Sequence, residues 1–202
     1  MITYRTAVPS DYTYLAAIHV KAFEGFFLTT LGIKFLQTYY FSCLKHEKTI
    51  AICACDEHNE IIGFASGTIW SKGYNKSIVF SNILGFGMAF LRIMFTRPKA
   101  IIRLQNNMDK DSYKDDQGNY AELLSIAILP SYKGQGIGKK MLIAFEKAAL
   151  ARKGDKISLT TDYFNNHDVI EFYKKSGYEV FYDVITYPDR HMLKMLKNLN
   201  KQ

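Results

Sequence analysis

The sequence predicts an α/β (α+β) fold in which about seven strands form one sheet with helices packed against it. Seven short apolar runs alternate with segments of helical periodicity along the chain. One of these runs, at residues 123–129, leads through three closely spaced glycines directly into a helical pattern. The chain has 202 residues, 48% of them hydrophobic and 22% charged, a composition that suits one globular domain with a full core.

The seven predicted strands are short apolar runs bounded by polar turns, glycine or proline. They are residues 2–7, 49–55, 61–69, 123–129, 156–161, 178–185 and 191–195. A polar turn at residues 56–60 joins the second strand to the third, and Tyr187-Pro188-Asp189-Arg190 joins the sixth to the seventh. Each of these two pairs is therefore expected to form an antiparallel hairpin.

Four helices are predicted from apolar periodicity and from residues that commonly start or end a helix. They run from Ser10 to about Phe23, from Thr30 or Gly32 to about Leu44, from the last of the clustered glycines onward, and from Asn165 to Ser176. Ser10 and Asn165 are the expected N-caps, and Gly177 is expected to end the fourth helix.

A glycine-rich loop between the fourth strand and the third helix is the strongest functional signal. Pro130 ends the strand because it cannot donate to a ladder, and the alternate glycines that follow let the backbone approach a ligand closely. The first amides of the next helix have no acceptor inside it and favour an anion. These features predict a diphosphate site formed by Lys133, Gly134, Gln135, Gly136, Ile137, Gly138 and Lys139. A glycine-rich turn without a ligand is the alternative, and the spacing fits neither the dinucleotide fingerprint nor the P-loop.

The stretch from Tyr120 to Leu142, YAELLSIAILPSYKGQGIGKKML, resembles motif A of the GNAT superfamily, the acetyl-CoA-dependent N-acyltransferases. Lys133 stands where that family prefers Gln or Arg, and the glycine positions are intact. A second block at residues 165–178, NNHDVIEFYKKSGY, resembles the later GNAT pattern N-x-x-A-x-x-x-Y-x-x-x-G-[FY], with Val169 replacing the usual small residue. Because both blocks occur in the family's order and at a similar separation, the sequence is identified as a member of this superfamily.

The resemblance implies a mixed, mostly antiparallel sheet of about seven strands with helices on both faces, in which the motif strand splays from its neighbour. It implies one N-acetyltransferase domain over residues 1–202 with an insertion at about residues 71–119. The backbone of Ile126, Ala127 and Ile128 would pair with the pantetheine arm of acetyl-CoA, and Asn166 would contact the same region of the cofactor. No metal is implied.

The resemblance also implies two catalytic residues. Tyr173 would be the general acid that protonates the departing thiolate, since a phenol (pKa about 10) and a thiol (pKa about 8.5) are close in acidity; a core tyrosine is the alternative. Glu122 matches the glutamate that histone-acetyltransferase members use as a base, and we expect it to act through water with a pKa raised by partial burial. A solvated carboxylate at a strand end is the alternative there. His167 and His191 are weaker candidates for the base.

The insertion at residues 71–119 departs from the expected element order. Residues 77–91 carry no charge and are followed by Arg92, Arg97, Lys99 and Arg103. Fifteen residues are too few to span a membrane, which takes about 20. The sequence favours helical packing across the sheet edge or the acceptor cleft, and it leaves open a peripheral membrane contact through residues 77–103. Residues 108–119 are expected to form a polar loop.

Composition narrows the partners and the location. The net charge of +7 and pI near 9.2 suit an anionic ligand, and coenzyme A already explains a basic site, whereas no nucleic-acid motif occurs. The three cysteines, Cys43, Cys53 and Cys55, lack a zinc spacing, and Cys53 and Cys55 are interpreted as buried small residues of a strand. The N-terminus does not resemble a signal peptide, so a cytoplasmic location is expected. The sequence leaves open whether the protein forms a homodimer.

The predicted reaction is direct transfer of an acetyl group from acetyl-CoA to a primary amine on a small molecule. Residues 22–28, with Leu31-Gly32 and Phe35-Leu36, faintly resemble GNAT members associated with bacterial surface-polysaccharide synthesis, which suggests an amino-sugar acceptor. Acetylation of a protein, a peptide or another small amine is one alternative. A non-catalytic acyl-CoA-binding module is the other.

Overall fold

One mixed sheet organises the part of the chain that the computed structural model describes, residues 1–96, 116–186 and 189–200. Its strands are β1 (Thr3–Thr6), β2 (Thr49–Cys55), β3 (Ile61–Thr68), β4 (Ala121–Ile128), β5 (Lys156–Asp162), β6 (Glu179–Thr186) and β7 (Arg190–Asn198). Within the described residues these seven strands follow the order β1-β2-β3-β4-β5-β7-β6. Only β4 and β5 pair in parallel, and the other neighbours are antiparallel. The predicted fold class and both predicted hairpins are thereby confirmed.

Helices cover both faces of the sheet, as predicted. They are α1 (Tyr12–Ala22), α2 (Phe27–Thr30), α3 (Ile33–Lys45), α4 (Tyr74–Ser81), α5 (Ile83–Thr96), α6 (Ile137–Ala151) and α7 (His167–Lys175). Helices α6 and α7 bury Phe145 and Tyr173 in the core on one face, while α1 and α3 bury Leu15 and Leu36 in the core on the other.

Strand β2 illustrates why the sheet separates two cores. Successive side chains of a strand point to opposite faces. Ile50 and Ile52 therefore pack in the core under α6, while Cys53 and Cys55 pack in the core under α1 and α3. Both cysteines are buried, as the sequence analysis expected, and Cys43 is buried as well.

The helix starts differ from the prediction at two places. Ser10 lies in a short 3-10 turn (Pro9–Asp11) before α1, and Asp11 fixes this turn by accepting the Val8 N–H at 2.8 Å while pairing with Arg5 at 2.7 Å. Asn166, not Asn165, occupies the N-cap position of α7. Asn165 instead adopts a left-handed φ of 54° in the preceding turn. Several polar residues stand near each helix start, and the choice among them depends on which one forms hydrogen bonds with its neighbours in the folded chain.

The insertion between β3 and β4 contains two helices. Helices α4 and α5 form a third core with α3, which includes Phe35, Tyr74, Phe86 and Ile93. The insertion is therefore helical, and its helices pack against α3. Most of the expected polar loop at residues 108–119, together with the basic residues after α5, lies outside the described residues, as do positions 187–188 of the last hairpin turn.

Candidate active site

Strands β4 and β5 separate partway along their length, which opens a gap in the middle of the sheet. Their parallel pairing covers three positions, Ala121 with Ile157, Glu122 with Ser158, and Leu123 with Leu159. Beyond Leu123, β4 continues to Ile128 paired with β3. The predicted splay at the motif strand is thus confirmed.

The outer edge of β4 offers backbone groups to this gap. Leu129 donates its N–H to Ile62 of β3 at 2.8 Å, which fixes the phase of the antiparallel ladder. Alternate residues of such a ladder direct their N–H and C=O groups to opposite sides. Ala127 therefore bonds with β3, while Ile126 and Ile128 direct their polar groups into the gap. Two of the three residues expected to pair with pantetheine are placed to do so.

A glycine in β3 permits the bend at the point where the strands part. The β3–β4 register shifts between Ser66 and Gly67, so that Leu124 of β4 has no partner in the ladder. A Cβ on Gly67 would lie 1.9 Å from the Glu122 carbonyl oxygen and 2.7 Å from Cζ of Phe145. Only glycine allows β3 to approach this closely, and the resulting bulge bends β4 away from β5. The sequence analysis missed this glycine.

The glycine-rich loop lies directly after β4 and starts α6. Gly134 and Gly136 have φ values of +80° and +72°, which side-chain-bearing residues rarely adopt. Within the described residues, no atom lies within 4 Å of a Cβ built on either one. The first hydrogen bond of the helix runs from the Lys140 N–H to the Gly136 carbonyl oxygen, at 3.2 Å. The amides of residues 137–139 therefore have no acceptor within the helix.

These features form an open concave backbone with the positive end of a helix, as a diphosphate requires. The predicted loop residues differ in how they contribute. The side chain of Ile137 is buried in the core, which leaves only its amide for a ligand. The side chains of Lys133 and Lys139 are exposed and can reach a phosphate.

Tyr173 of α7 lies in the core on the face of the sheet that α6 and α7 cover, and it is 6% exposed. Its ring is 5.2 Å from Phe172 and 5.7 Å from Tyr178, centroid to centroid. Burial raises the pKa of Tyr173 to about 12, because the phenolate would lose its hydration. The hydroxyl therefore stays protonated at neutral pH, as a proton donor must.

Asn166 joins α7 to the end of β5. Its side-chain amide donates to Thr161 Oγ1 at 2.7 Å and to the Asp162 carbonyl oxygen at 2.9 Å. An asparagine amide has two protons, so both are used within the chain. A ligand could use only the carbonyl oxygen of this side chain.

Glu122 is held in a buried ion pair at the base of the gap. Its Oε1 accepts a hydrogen bond from Lys194 Nζ at 2.5 Å, and its Oε2 accepts one from Ser71 Oγ at 2.5 Å. The Glu122 side chain is 14% exposed and that of Lys194 is 9% exposed. Glu122 is therefore not a solvated carboxylate at a strand end. A proton accepted by Glu122 would leave the ammonium group of Lys194 without its compensating charge.

A polar cluster beside Glu122 was missed by the sequence analysis. Asp116 accepts hydrogen bonds from the hydroxyls of Tyr120 and Tyr182, the latter at 2.6 Å. Burial acts to raise the pKa of Asp116, but these hydrogen bonds outweigh it and hold the pKa below its usual range. Lys194 Nζ lies 5.1 Å from the Tyr120 ring centroid. The cluster joins the segment before β4 to β6 and β7, and Lys194 connects it to Glu122.

A second ion pair lies where β5 ends and β7 begins. Arg190 donates to both oxygens of Asp162, from Nε at 2.5 Å and from Nη2 at 2.8 Å. Its guanidinium carbon lies 5.0 Å from the ring centroid of Phe26, in the loop between α1 and α2. This pair connects three elements at the open end of the gap, and no local sequence pattern pointed to it.

In the part of the chain that the structure describes, neither candidate histidine is hydrogen-bonded to Glu122, whose partners are Ser71 and Lys194. His191 is hydrogen-bonded to Asp183 at 2.6 Å and stacks on Tyr163 with centroids 4.3 Å apart. His167 is exposed and lines a cleft of about 890 Å³ between α7, β6 and β7, which also includes Asn166. Neither the glycine-rich loop nor Tyr173 lines this cleft, so the gap rather than the cleft is the candidate active site. Among the described residues, no group of three or more His, Cys, Asp or Glu side chains could hold a metal ion.

Comparison with known families agrees with this geometry. A model described as the acetyltransferase (GNAT) family matches residues 13–178. The chain belongs to the GNAT family of acetyltransferases, and it is an acetyl-CoA-dependent acyltransferase. No curated protein sequence matches the chain significantly.

Several solved structures share the fold. PaiA N-acetyltransferase from Thermoplasma acidophilum, in complex with coenzyme A, has a TM-score of 0.57 and 15% identity over 98% of this chain and 99% of that chain. The spermidine/spermine N-acetyltransferase SpeG from Vibrio cholerae has a TM-score of 0.60 and 12% identity over 99% of this chain and 95% of that chain. A ribosomal-protein-alanine N-acetyltransferase from Escherichia coli has a TM-score of 0.61 and 14% identity over 100% of this chain and 96% of that chain.

Proposed function

We propose that this protein transfers an acetyl group from acetyl-CoA to a primary amine at the gap between β4 and β5. The observation that carries the proposal is the position of the glycine-rich loop at the end of β4, the strand that separates from β5. A diphosphate bound by the loop amides places an attached arm beside the free edge of β4. An extended arm can then add to that edge as a further strand would.

The chain's residues have distinct roles in this proposal. The amides of residues 134–139 bind the diphosphate, and the backbones of Ile126 and Ile128 bind and orient the pantetheine arm. Acetyl-CoA supplies a thioester. The amine nitrogen forms a bond to the thioester carbonyl carbon, and the carbon–sulfur bond breaks. Tyr173 gives its proton to the departing sulfur, and the proton lost by the amine leaves through water toward Glu122.

The acceptor we propose is an amino sugar of surface-polysaccharide synthesis. The segment that carries this resemblance, residues 22–28, includes Phe26, which lies against Arg190 at the open end of the gap. An aromatic ring beside a paired guanidinium and carboxylate offers both an apolar face and hydrogen-bonding groups, which suit a sugar. The fold itself does not select an acceptor, because the similar structures act on polyamines and on a ribosomal protein. A chain with a net charge of +7 attracts polyamines poorly.

An acceptor screen tests this proposal. The full chain is mixed with acetyl-CoA and with amino sugars, nucleotide-linked amino sugars, polyamines or peptides, and thiol release is followed in each case. We expect release with an amino sugar above the rate of hydrolysis without acceptor. Thiol release with peptides or polyamines alone would overturn the amino-sugar assignment, but it would still support acetyl transfer to an amine. Tight coenzyme A binding without release for any amine would indicate a non-catalytic binding module.

A further inference from the structure

Helix α5 is apolar on its outward face as well as on the face that packs against the protein. Phe86 and Ile93 are buried in the core that α5 shares with α3, and the Phe86 ring lies 6.0 Å from that of Phe35. A second stripe on the opposite side consists of Leu84 (80% exposed), Met88 (69%), Leu91 (51%) and Phe95 (81%). Their spacing of four, three and four residues places them in one row along the helix. A helix that faces water normally carries polar residues there.

The apolar surface extends beyond this row. Phe80, at the end of α4, is 72% exposed, and Ile83, at the start of α5, is 60% exposed. We call Phe80, Ile83, Leu84, Met88, Leu91 and Phe95 the outward face. Isolated apolar side chains on a surface are ordinary, whereas a contiguous group of large ones marks a contact site.

The protein holds the outward face in a fixed orientation. Asn82, between α4 and α5, accepts a hydrogen bond from the Gly85 N–H at 3.2 Å and donates to Ser42 Oγ of α3 at 2.9 Å. Among the described residues no single helix is long and apolar enough to cross a membrane; α4 and α5 reach that length and apolar composition only together, across a bend of 94°. Because the inner side of α5 is packed on α3, the helix lies along the surface of the protein.

The charge of the segment that contains the outward face favours an anionic partner. Residues 61–108 contain no Asp or Glu, but they contain six basic residues, Lys72, Lys76, Arg92, Arg97, Lys99 and Arg103. Of these, Arg92 is exposed on α5 and Lys76 is exposed on α4. A second copy placed on this face would bring two basic segments together, which like-charge repulsion opposes. An anionic lipid surface satisfies both the apolar row and the basic residues.

We propose that the outward face of α5 docks on an anionic phospholipid surface. Leu84, Met88, Leu91 and Phe95 enter the boundary between headgroups and acyl chains, while Lys76 and Arg92 contact the lipid phosphates. The predicted cytoplasmic location would bring the protein to the leaflet that carries anionic lipid. This attachment is independent of the acceptor and of catalysis.

Co-sedimentation of the full chain with vesicles tests the attachment. We expect binding to phosphatidylcholine–phosphatidylglycerol vesicles and much weaker binding to phosphatidylcholine alone. Raising the salt from about 0.1 M to about 1 M shortens the screening length from about 10 Å to about 3 Å and should release the protein. Replacing two apolar residues together, Leu84→Ser with Met88→Ser, should weaken binding about tenfold or more.

Two further variants make the test specific. Arg92→Gln removes one exposed charge and should weaken binding to anionic vesicles only. Ile185→Ser is the matched control, because Ile185 of β6 is 69% exposed, as Met88 is, but lies outside the outward face; its binding should equal that of the unmodified chain. Circular dichroism shows whether each variant is folded.

Three results would overturn the proposal. These are no binding to anionic vesicles at low salt, equal binding to neutral vesicles, and binding that the Leu84 and Met88 substitutions leave unchanged in a folded variant. Sedimentation velocity without lipid tests whether a second copy of the chain, rather than lipid, covers the outward face. A dimer that the same double variant converts to a monomer would show that a second copy covers the outward face.

Discussion

At the scale of single residues, the environment of Tyr173 has a direct consequence for catalysis. Tyr173→Phe keeps the buried ring and removes the proton donor, so kcat should fall by about 10²–10⁴-fold. Coenzyme A affinity should change little, because the ring still packs against Tyr178. Steady-state kinetics and calorimetry measure the two quantities. Because the pKa of Tyr173 is about 12, its titration should not lower kcat at any pH up to about 10.

The neighbouring tyrosine provides the control for that variant. Tyr178 is fully buried in the same core, and Tyr178→Phe removes one hydroxyl with the same small change in volume. We expect this variant to keep its kcat. If Tyr173→Phe also turned over at the rate of the unmodified enzyme, Tyr173 would be a core residue without a role in proton transfer.

Glu122 can serve as the base or as an anchor for Lys194, and pH distinguishes the two roles. Glu122→Gln should slow the reaction at neutral pH, where the acceptor amine arrives protonated. The deficit should shrink as the pH approaches the pKa of the amine, because the acceptor then arrives neutral. A pH–rate profile of kcat/KM for both proteins measures this. A deficit of constant size would indicate a positioning role.

A compensating substitution separates the base from the ion pair. Glu122→Gln alone leaves the buried ammonium of Lys194 unpaired and should cost about 3 kcal/mol or more of stability. Adding Lys194→Met removes that charge and should restore much of the stability, as urea unfolding would show. The double variant should remain slow if Glu122 accepts the proton. Recovered activity in the double variant would instead mean that Glu122 only compensates the charge of Lys194.

At the scale of elements, Gly138 provides a clean test of the anion site. Gly136 has a left-handed φ, so a side chain there would strain the loop whether or not a ligand binds. Gly138 lies in the first turn of α6, and an added Cβ would meet only Ile128 Cδ1, at an ordinary 3.4 Å. Gly138→Val should therefore fold normally and lower coenzyme A affinity about tenfold or more, since the side chain obstructs the amides.

Two measurements check the Gly138 variant. Calorimetry gives the affinity, and the rise in melting temperature with added coenzyme A should become smaller, because the ligand stabilises only the folded state to which it binds. Gly87→Val is the control, because Gly87 is a helical glycine with open space around it in α5, away from the loop. Unchanged affinity in a folded Gly138→Val variant would show that the diphosphate does not bind there.

Elements were easier to predict from the sequence than the contacts between them. Strands β2 and β3 were placed to within one residue because polar residues bound their apolar runs. The glycine spacing itself indicated the loop, whereas the GNAT resemblance supplied the splay. The pairs Glu122–Lys194 and Asp116–Tyr182 join residues 72 and 66 positions apart, and no local pattern encodes such contacts. Gly67 was missed for a similar reason, because only the approach of β4 makes a glycine necessary there.

At the scale of the whole molecule, the stability of the fold should depend on a buried histidine. His19 of α1 is 3% exposed. Its Nδ1 is hydrogen-bonded to the Tyr40 hydroxyl of α3 at 2.7 Å, and its ring lies 4.7 Å from that of Phe23. Burial lowers the pKa of His19 to about 4, because a buried imidazolium would lose its hydration.

The lowered pKa gives the sign of the pH dependence. An unfolded histidine takes up a proton as the pH falls through about 6.5, whereas His19 in the folded protein does so only near pH 4. Between these values the unfolded state binds the extra proton, so its contribution lowers the free energy of unfolding by about 1.4 kcal/mol per pH unit as the pH falls. Above about pH 6.5 both states are neutral at this site and the contribution is constant.

Urea unfolding between about pH 4.5 and 7.5 measures this effect, and His19→Gln isolates it. The substitution removes the titrating group. We therefore expect the free energy of unfolding of this variant to change less steeply with pH over the acidic half of the range, by a slope that corresponds to about one proton. His58→Gln is the control, because the His58 side chain is 78% exposed, and it should leave the slope unchanged. Parallel profiles for His19→Gln and the unmodified chain would mean that His19 accepts its proton without unfolding. The packing of α1 on α3 would then tolerate a charge at this position.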